Sequence, residues 1–134
     1  MGKLAPDAMI DAALAYVAAS NFMSVCQDTP VTYTDAHTHN DAGGDGLAET
    51  SLTPGSGSGD FLIADEILSP YSRKLTMTAK SAISILHSGT ATHVALCLVS
   101  DTTLRYVTTC TSQALTQGGT VDVPSWKISL GDPA

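Results

Sequence analysis

Positive charge is scarce in this sequence. Six Lys and Arg stand against 13 Asp and Glu, a formal net charge of −7, and the bases occur singly apart from Arg73-Lys74. A surface without a basic patch cannot neutralise a run of phosphates, so direct nucleic-acid binding is not expected. Long apolar runs are also missing. No stretch approaches the ~20 residues of a membrane-spanning helix, and no membrane partner is expected. The first apolar segment carries Asp7 and Asp11, charges that a secretory leader would not tolerate. Cysteine is limited to Cys26, Cys97 and Cys110, far apart and at no Cys-x-x-Cys spacing. An odd number leaves at least one thiol free, which argues against a disulfide framework and for synthesis in a reducing cytoplasm. Each lies in an apolar run and is expected to act as a small buried hydrophobe. Cys97 and Cys110 fall out of register across a hairpin turning at Asp101-Thr102 and are not expected to bridge.

Catalytic signatures are missing too. Gly55-Ser56-Gly57-Ser58-Gly59 lacks the Gly-Lys-Ser/Thr ending of a phosphate loop, and its centre is glycine where a nucleophile elbow has serine. Asp41 and Asp45-Gly46 suggest a calcium loop. Counting from Asp41, however, puts Gly43 at the third position and Leu52 at the twelfth, neither with a side-chain oxygen. Nothing in the spacing of Asp60, Asp65 and Glu66 fixes the separation a glycosidase carboxylate pair needs. One stretch does suggest chemistry. Asp35-Ala36-His37-Thr38-His39 holds the His-x-His pair of amidohydrolase-type barrels, and on a strand imidazoles at i and i+2 would reach one divalent ion. That barrel needs about 200 residues at the least, and this chain has 134. The other histidines are His87 and His93, the latter in THVALCLV, too apolar for a ligand-bearing loop. With no third and fourth ligand in evidence, His37 and His39 are read as surface or contact residues, with no metal, no cofactor and no enzymatic activity expected. A small metal-dependent hydrolase using His37 and His39 is the enzymatic alternative.

What is present fits one domain of 134 residues. Residues 6–19 read as a helix, with Pro6 at the first turn, Asp7 at the positive end of the dipole, and Ile10, Leu14 and Val17 at helical spacing with Ala13 alongside. Ser20-Asn21 reads as its stop, Asn tolerating a left-handed cap. The opposite face is mostly alanine and suits cover by another subunit. From Phe22 the period becomes alternating: FMSVC, KLTMT, AISIL, TATHVALCLV, TLRYVTTC and VDVPSWKISL all read as strands, so 22–34 and 60–134 form a β-domain. Turns at Asp101-Thr102 and Gln117-Gly118-Gly119 predict consecutive hairpins. Pro124 removes a ladder donor and splits the last strand or puts it at an edge. The single Trp, Trp126, reads as a core or interface anchor. Residues 35–59, rich in Gly, Ser and Asp, read as a long flexible loop used for contact, removable by deletion of 41–59 with the fold intact. The expected fold is mainly β, an antiparallel β-sandwich-like domain with one N-terminal α-helix.

Two stretches carry a family resemblance. KLAPDAMIDAALAYV followed by CQDTPVTYTDA, and the C-terminal TATHVALCLVSDTTLRYVTTC…VDVPSWKISL, resemble a group of small virion structural proteins of tailed bacteriophages. The resemblance covers roughly residues 3–36 and 73–134, and 37–72 has no counterpart. It implies a virion structural protein, made in a bacterial cytoplasm and placed on the capsid exterior. The expected role is a decoration or cement protein that binds the major capsid protein as a homotrimer at threefold or quasi-threefold positions. A tail component (tube, terminator or fibre base) is the alternative. The contact residues expected are His37, His39, Asp41, Asp45, Pro124 and Trp126.

Overall fold

The computed structural model describes residues 7–57, 59–65 and 72–131. The first element is α1 (Asp7–Ala18). It turns Ile10, Leu14, Val17 and Ala18 inward and leaves Met9 and Tyr16 exposed. The expected stripe is therefore correct except that Ala13 faces solvent and Ala18 takes its place; Pro6 lies outside the described residues. The helix does not end on a left-handed Asn. Among the described residues, Ala82 and Thr102 alone of the non-glycines have positive φ. Asn21 instead enters the sheet: its amide donates to the Cys97 carbonyl at 3.0 Å and its own carbonyl accepts from Leu52. Its side-chain oxygen accepts from the Val99 amide at 3.0 Å.

The remaining elements, in chain order, are β1 (Phe22–Cys26), α2 (Tyr33–His37), a 3₁₀ turn (Asn40–Ala42), β2 (Gly46–Ser51), β3 (Phe61–Asp65), β4 (Ser72–Met77), β5 (Lys80–Ser84), β6 (Gly89–Leu98), β7 (Thr103–Leu115), β8 (Thr120–Val123) and β9 (Trp126–Gly131). They form a four-stranded sheet in the order β2-β1-β6-β7, a three-stranded sheet β3-β4-β9 and the pair β5-β8. Every pairing between these strands is antiparallel; of the isolated bridges, His39 with Gly46 and Ser56 with Phe61 are parallel. The fold is thus mainly β with antiparallel sheets and one N-terminal helix, as expected.

Period-2 alternation sorts β1 cleanly. Met23 and Val25 join the main core with Leu14, Leu47, Phe61, Leu75, Met77, Val94 and Leu96. Phe22 and Cys26 point to the other face, where Ala36, Ala95 and Cys97 make a second, smaller cluster. The four-stranded sheet is therefore covered on both faces at its centre, by the main core in front and by α2 behind. Arg73 fastens α1 to the three-stranded sheet. Its Nε and Nη2 donate to the two oxygens of Asp11 at 2.7 and 2.9 Å, and its Nη1 donates to Asp65 at 2.6 Å. Such forked, charge-assisted pairs fix orientation as well as adding energy. Arg105 does the same for the helix end, lying 3.8 Å over the Tyr16 ring and donating to the Tyr16 carbonyl at 2.9 Å.

Several expectations are corrected. Residues 35–59 contain the end of α2, the 3₁₀ turn and all of β2, and Leu47, Ala48 and Leu52 are buried. Deleting 41–59 would therefore remove a strand and three core side chains. The Gln117-Gly118-Gly119 turn exists, with Gly118 at φ 90° and Gly119 donating to Thr116. It does not close a hairpin, because β8 leaves β7 and pairs with β5. Pro124 does split the last run, and the two halves enter different sheets. Cys26 and Cys97 are buried as expected, but Cys110 is exposed; all three thiols are free.

Candidate functional site

The DAHTH stretch is built from its preceding residue outward. Thr32 caps α2, its hydroxyl accepting from the Asp35 amide at 3.1 Å while the Asp35 carboxylate accepts from the Val31 and Thr32 amides at 3.1 and 3.0 Å. This is a reciprocal capping box. The Val31 amide, then the Thr32 hydroxyl and amide, hold the Asp35 carboxyl below its ordinary range. Ala36 is fully buried against the back of the sheet. His37, at the helix end, stacks on Tyr33 at 5.1 Å and lies against Phe22 at 5.1 Å. Thr38 and His39 are extended, and a 3₁₀ turn follows.

The two histidines of the motif consequently diverge, because the i, i+2 rule holds on a strand and this segment leaves a helix. His39 meets a different histidine. Its ring centroid is 4.5 Å from that of His87. One ligand-type atom from each of His39, Asp41 and His87 falls in a group whose members lie within 4.8 Å of one another. His87 Nδ1 is 3.5 Å from Asp41 Oδ2, and His39 Nε2 is 3.6 Å from Glu49 Oε2. The His39 Nε2 atom is buried without a hydrogen-bond partner.

The backbone that holds this group is well tied. Asn40 Nδ2 donates to Ser88 O at 2.9 Å and to Gln27 Oε1 at 3.1 Å, joining the 3₁₀ turn to the segment that bears His87. The amides of Leu86 and His87 both donate to Leu47 O, at 2.9 and 3.1 Å. Gly44 is required here, since a Cβ would run into the Thr38 carbonyl. Asp45 stands apart from the cluster. Its burial, with the charges of Asp28 and Asp35, pushes its carboxyl up, against a smaller opposing effect of His93.

The second candidate surface lies on β7. Ala91 pairs with Gln113 and His93 with Thr109, so Thr92 alone stands opposite Cys110, Thr111 and Ser112. A bulge of this kind bends the strand locally and increases its twist. Residues 109–114 are exposed without a break. Under the bend lies a cleft of about 690 Å³, lined by Val25, Val94, Thr108–Thr111, Val121, Pro124 and Trp126 among others. Trp126 stacks on Tyr106 at 5.9 Å, with its indole N–H buried and lacking a partner. Pro124 and Trp126 thus share one surface with β7, and His39 and Asp41 share another with His87. Sequence reading ends the strand at Cys110, where alternation fails; that failure is the bulge's only signal.

The carboxylates considered as a catalytic pair have separate cations. Asp60 binds Lys80 at 2.7 Å and accepts from the Thr53 amide at 2.6 Å. Asp65 binds Arg73 at 2.6 Å. Glu66 lies outside the described residues. No known protein family, curated protein or solved structure matches this chain.

Proposed function

We propose that the protein is a tailed-bacteriophage virion structural protein, a decoration or cement subunit that attaches to the major capsid protein as a homotrimer at threefold or quasi-threefold positions. The observation that carries the reading is the outer half of β7. It is the end strand of its sheet, its residues 109–114 are exposed, and no charged residue occurs between Arg105 and Asp122. Soluble proteins usually protect such an edge with charge, proline or cover. A long edge without charge, proline or cover, broken only by the bulge at residues 110–112, suits the addition of a strand or arm from a neighbouring subunit. The resemblance at both ends of the chain supports the same reading. A trimer repeats one modest contact three times, which multiplies attachment when the geometry lets all three engage. The net charge of −7 favours basic capsid patches, so attachment weakens as salt rises.

The test is rebinding of purified protein to particles stripped of it. Wild-type protein should bind heads and not tails, less in high salt, and sediment as a trimer. Ser112→Lys, which puts a charge on the exposed edge, should lower head binding roughly tenfold or more with the fold unchanged. Binding to tails alone would move the assignment to a tail component. Unaltered head binding by Ser112→Lys would remove β7 from the contact.

A further inference from the structure

We infer that His39, Asp41 and His87 form a binding site for a first-row divalent transition ion of the Zn²⁺ class, with Glu49 as its fourth ligand or the acceptor that orients His39. The inference is independent of the virion reading. It begins with a juxtaposition that composition does not explain. Two imidazoles lie 4.5 Å apart, centroid to centroid, although 48 sequence positions separate His39 from His87 and the two rings come from different segments. A carboxylate stands beside each ring, Glu49 at His39 and Asp41 at His87. Neither contact is a hydrogen bond: at 3.6 and 3.5 Å the carboxylates sit just beyond contact distance. The His39 Nε2 atom is sealed from solvent with nothing to bond.

An ion resolves each of these features. A tetrahedral Zn²⁺ site places ligands about 2.0–2.2 Å from the metal. Ligand atoms in such a site are then about 3.3 Å apart, so a group within 4.8 Å needs only small side-chain movement to close. The most exposed member, Asp41, at 64% side-chain exposure, is free to make that movement. The donor set selects the ion class. Two imidazoles with one or two carboxylates suit Zn²⁺, Co²⁺ or Ni²⁺, whereas Ca²⁺ and Mg²⁺ prefer oxygen alone. Two ionised carboxylates would balance the charge of a divalent ion. The scaffold is set without the ion, by Asn40 donating to the Ser88 carbonyl and the Leu86 and His87 amides donating to the Leu47 carbonyl. The ion would therefore act as a staple joining the 3₁₀ turn, β2 and the segment after β5.

The probe is Zn²⁺ itself, titrated calorimetrically into chelator-treated full-length protein, with Co²⁺ as a spectroscopic substitute. The expected result is one ion per chain, a visible Co²⁺ absorption typical of a four-coordinate nitrogen and oxygen site, and a rise in thermal midpoint with Zn²⁺ but not Ca²⁺. His39→Ala and His87→Ala should abolish binding, and Asp41→Ala should weaken it roughly tenfold or more. Asp41 is exposed, so its variant keeps the test valid if a histidine variant fails to fold. His37→Ala and His93→Ala should bind as wild type. Absence of stoichiometric binding by the wild type would overturn the assignment. So would undiminished binding by Asp41→Ala, or equal loss in His37→Ala.

Discussion

The two margins of the four-stranded sheet invite comparison. At one margin, β2 grows out of a segment rich in Gly and Asp, and at the other β7 carries an uncharged run of Thr, Ser and Gln. Composition suggests that the first is mobile and the second ordinary strand. In the structure the first is packed, with Leu47 and Ala48 essentially without exposure, while the second is interrupted by a bulge at residues 110–112 and stays exposed from 109 to 114. What separates them is where apolar side chains go. Gly44 and Gly46 allow close backbone approach to Thr38, which lets the chain fold back and bury Leu47. On β7, residues 109–114 bury no such anchor until Leu115, and the bulge interrupts the ladder at 110–112.

The sharpest way to break this contrast is to remove the anchor. Leu47→Ala should cost about 3 kcal/mol in urea unfolding, since it empties a fully buried site between sheets. Deletion of 41–59 should abolish cooperative unfolding. A cost for Leu47→Ala no larger than that of a surface substitution would return the segment to the status of a loop.

The end of the same segment depends on Asp60. Burial raises its carboxyl, but the bond to Lys80, the Thr53 amide and the Lys80 charge together outweigh burial and hold it below its ordinary value. A depressed folded value means that the stabilisation is present above the unfolded value and is lost as pH falls through the folded one. Asp60→Asn should therefore cost about 2 kcal/mol at neutral pH, by leaving Lys80 without its partner. The difference from wild type should shrink below about pH 4. A difference that stays constant to pH 2 would show that the carboxylate charge is not what matters.

These two cases also show what was legible in the sequence. The helix stripe of Ile10, Leu14 and Val17, the first strand, the Asp101-Thr102 turn and the division at Pro124 are local patterns, and local patterns survive folding. β2 was not legible, because Gly46-Leu47-Ala48-Glu49 is short and lies among turn formers; only its pairing with β1 makes it a strand. β3 was missed likewise: Phe61–Asp65 shows no alternation, and its pairing with β4 sets it. The histidine motif misled for a related reason. His37 and His39 are neighbours in sequence, but the capping box at Thr32 makes Tyr33–His37 a helix and sends the two rings apart. The partner that His39 does meet, His87, is brought by the β2 contact, which no spacing rule encodes.

The capping box gives an intermediate effect. Thr32→Ala should cost about 1 kcal/mol, chiefly by loosening α2 from the back of the sheet. Amide exchange should then rise at Ala36 and Cys97 and stay unchanged at Leu75. Uniform acceleration across the protein would mean that α2 unfolds only with the whole domain.

The smallest expected effect lies on β7 and involves a cysteine. Burial pushes the Cys26 and Cys97 thiols up to about 11, and they sit under α2. Cys110 is also shifted upward by burial of its sulfur environment, but its residue is exposed on the bulge. Cys110→Ser should change stability by less than about 0.5 kcal/mol, because it leaves no cavity in either core cluster. A thiol reagent at mildly alkaline pH should modify one cysteine in the folded protein and three after denaturation, the slow native reaction reflecting the small thiolate fraction. If β7 is the attachment edge, Cys110 should become unreactive in protein bound to heads while stability of the free chain is unaltered by its replacement. Reaction of two or three thiols in the folded state would mean that the α2-covered face opens as readily as the β7 edge, and the contrast between the two margins would be lost.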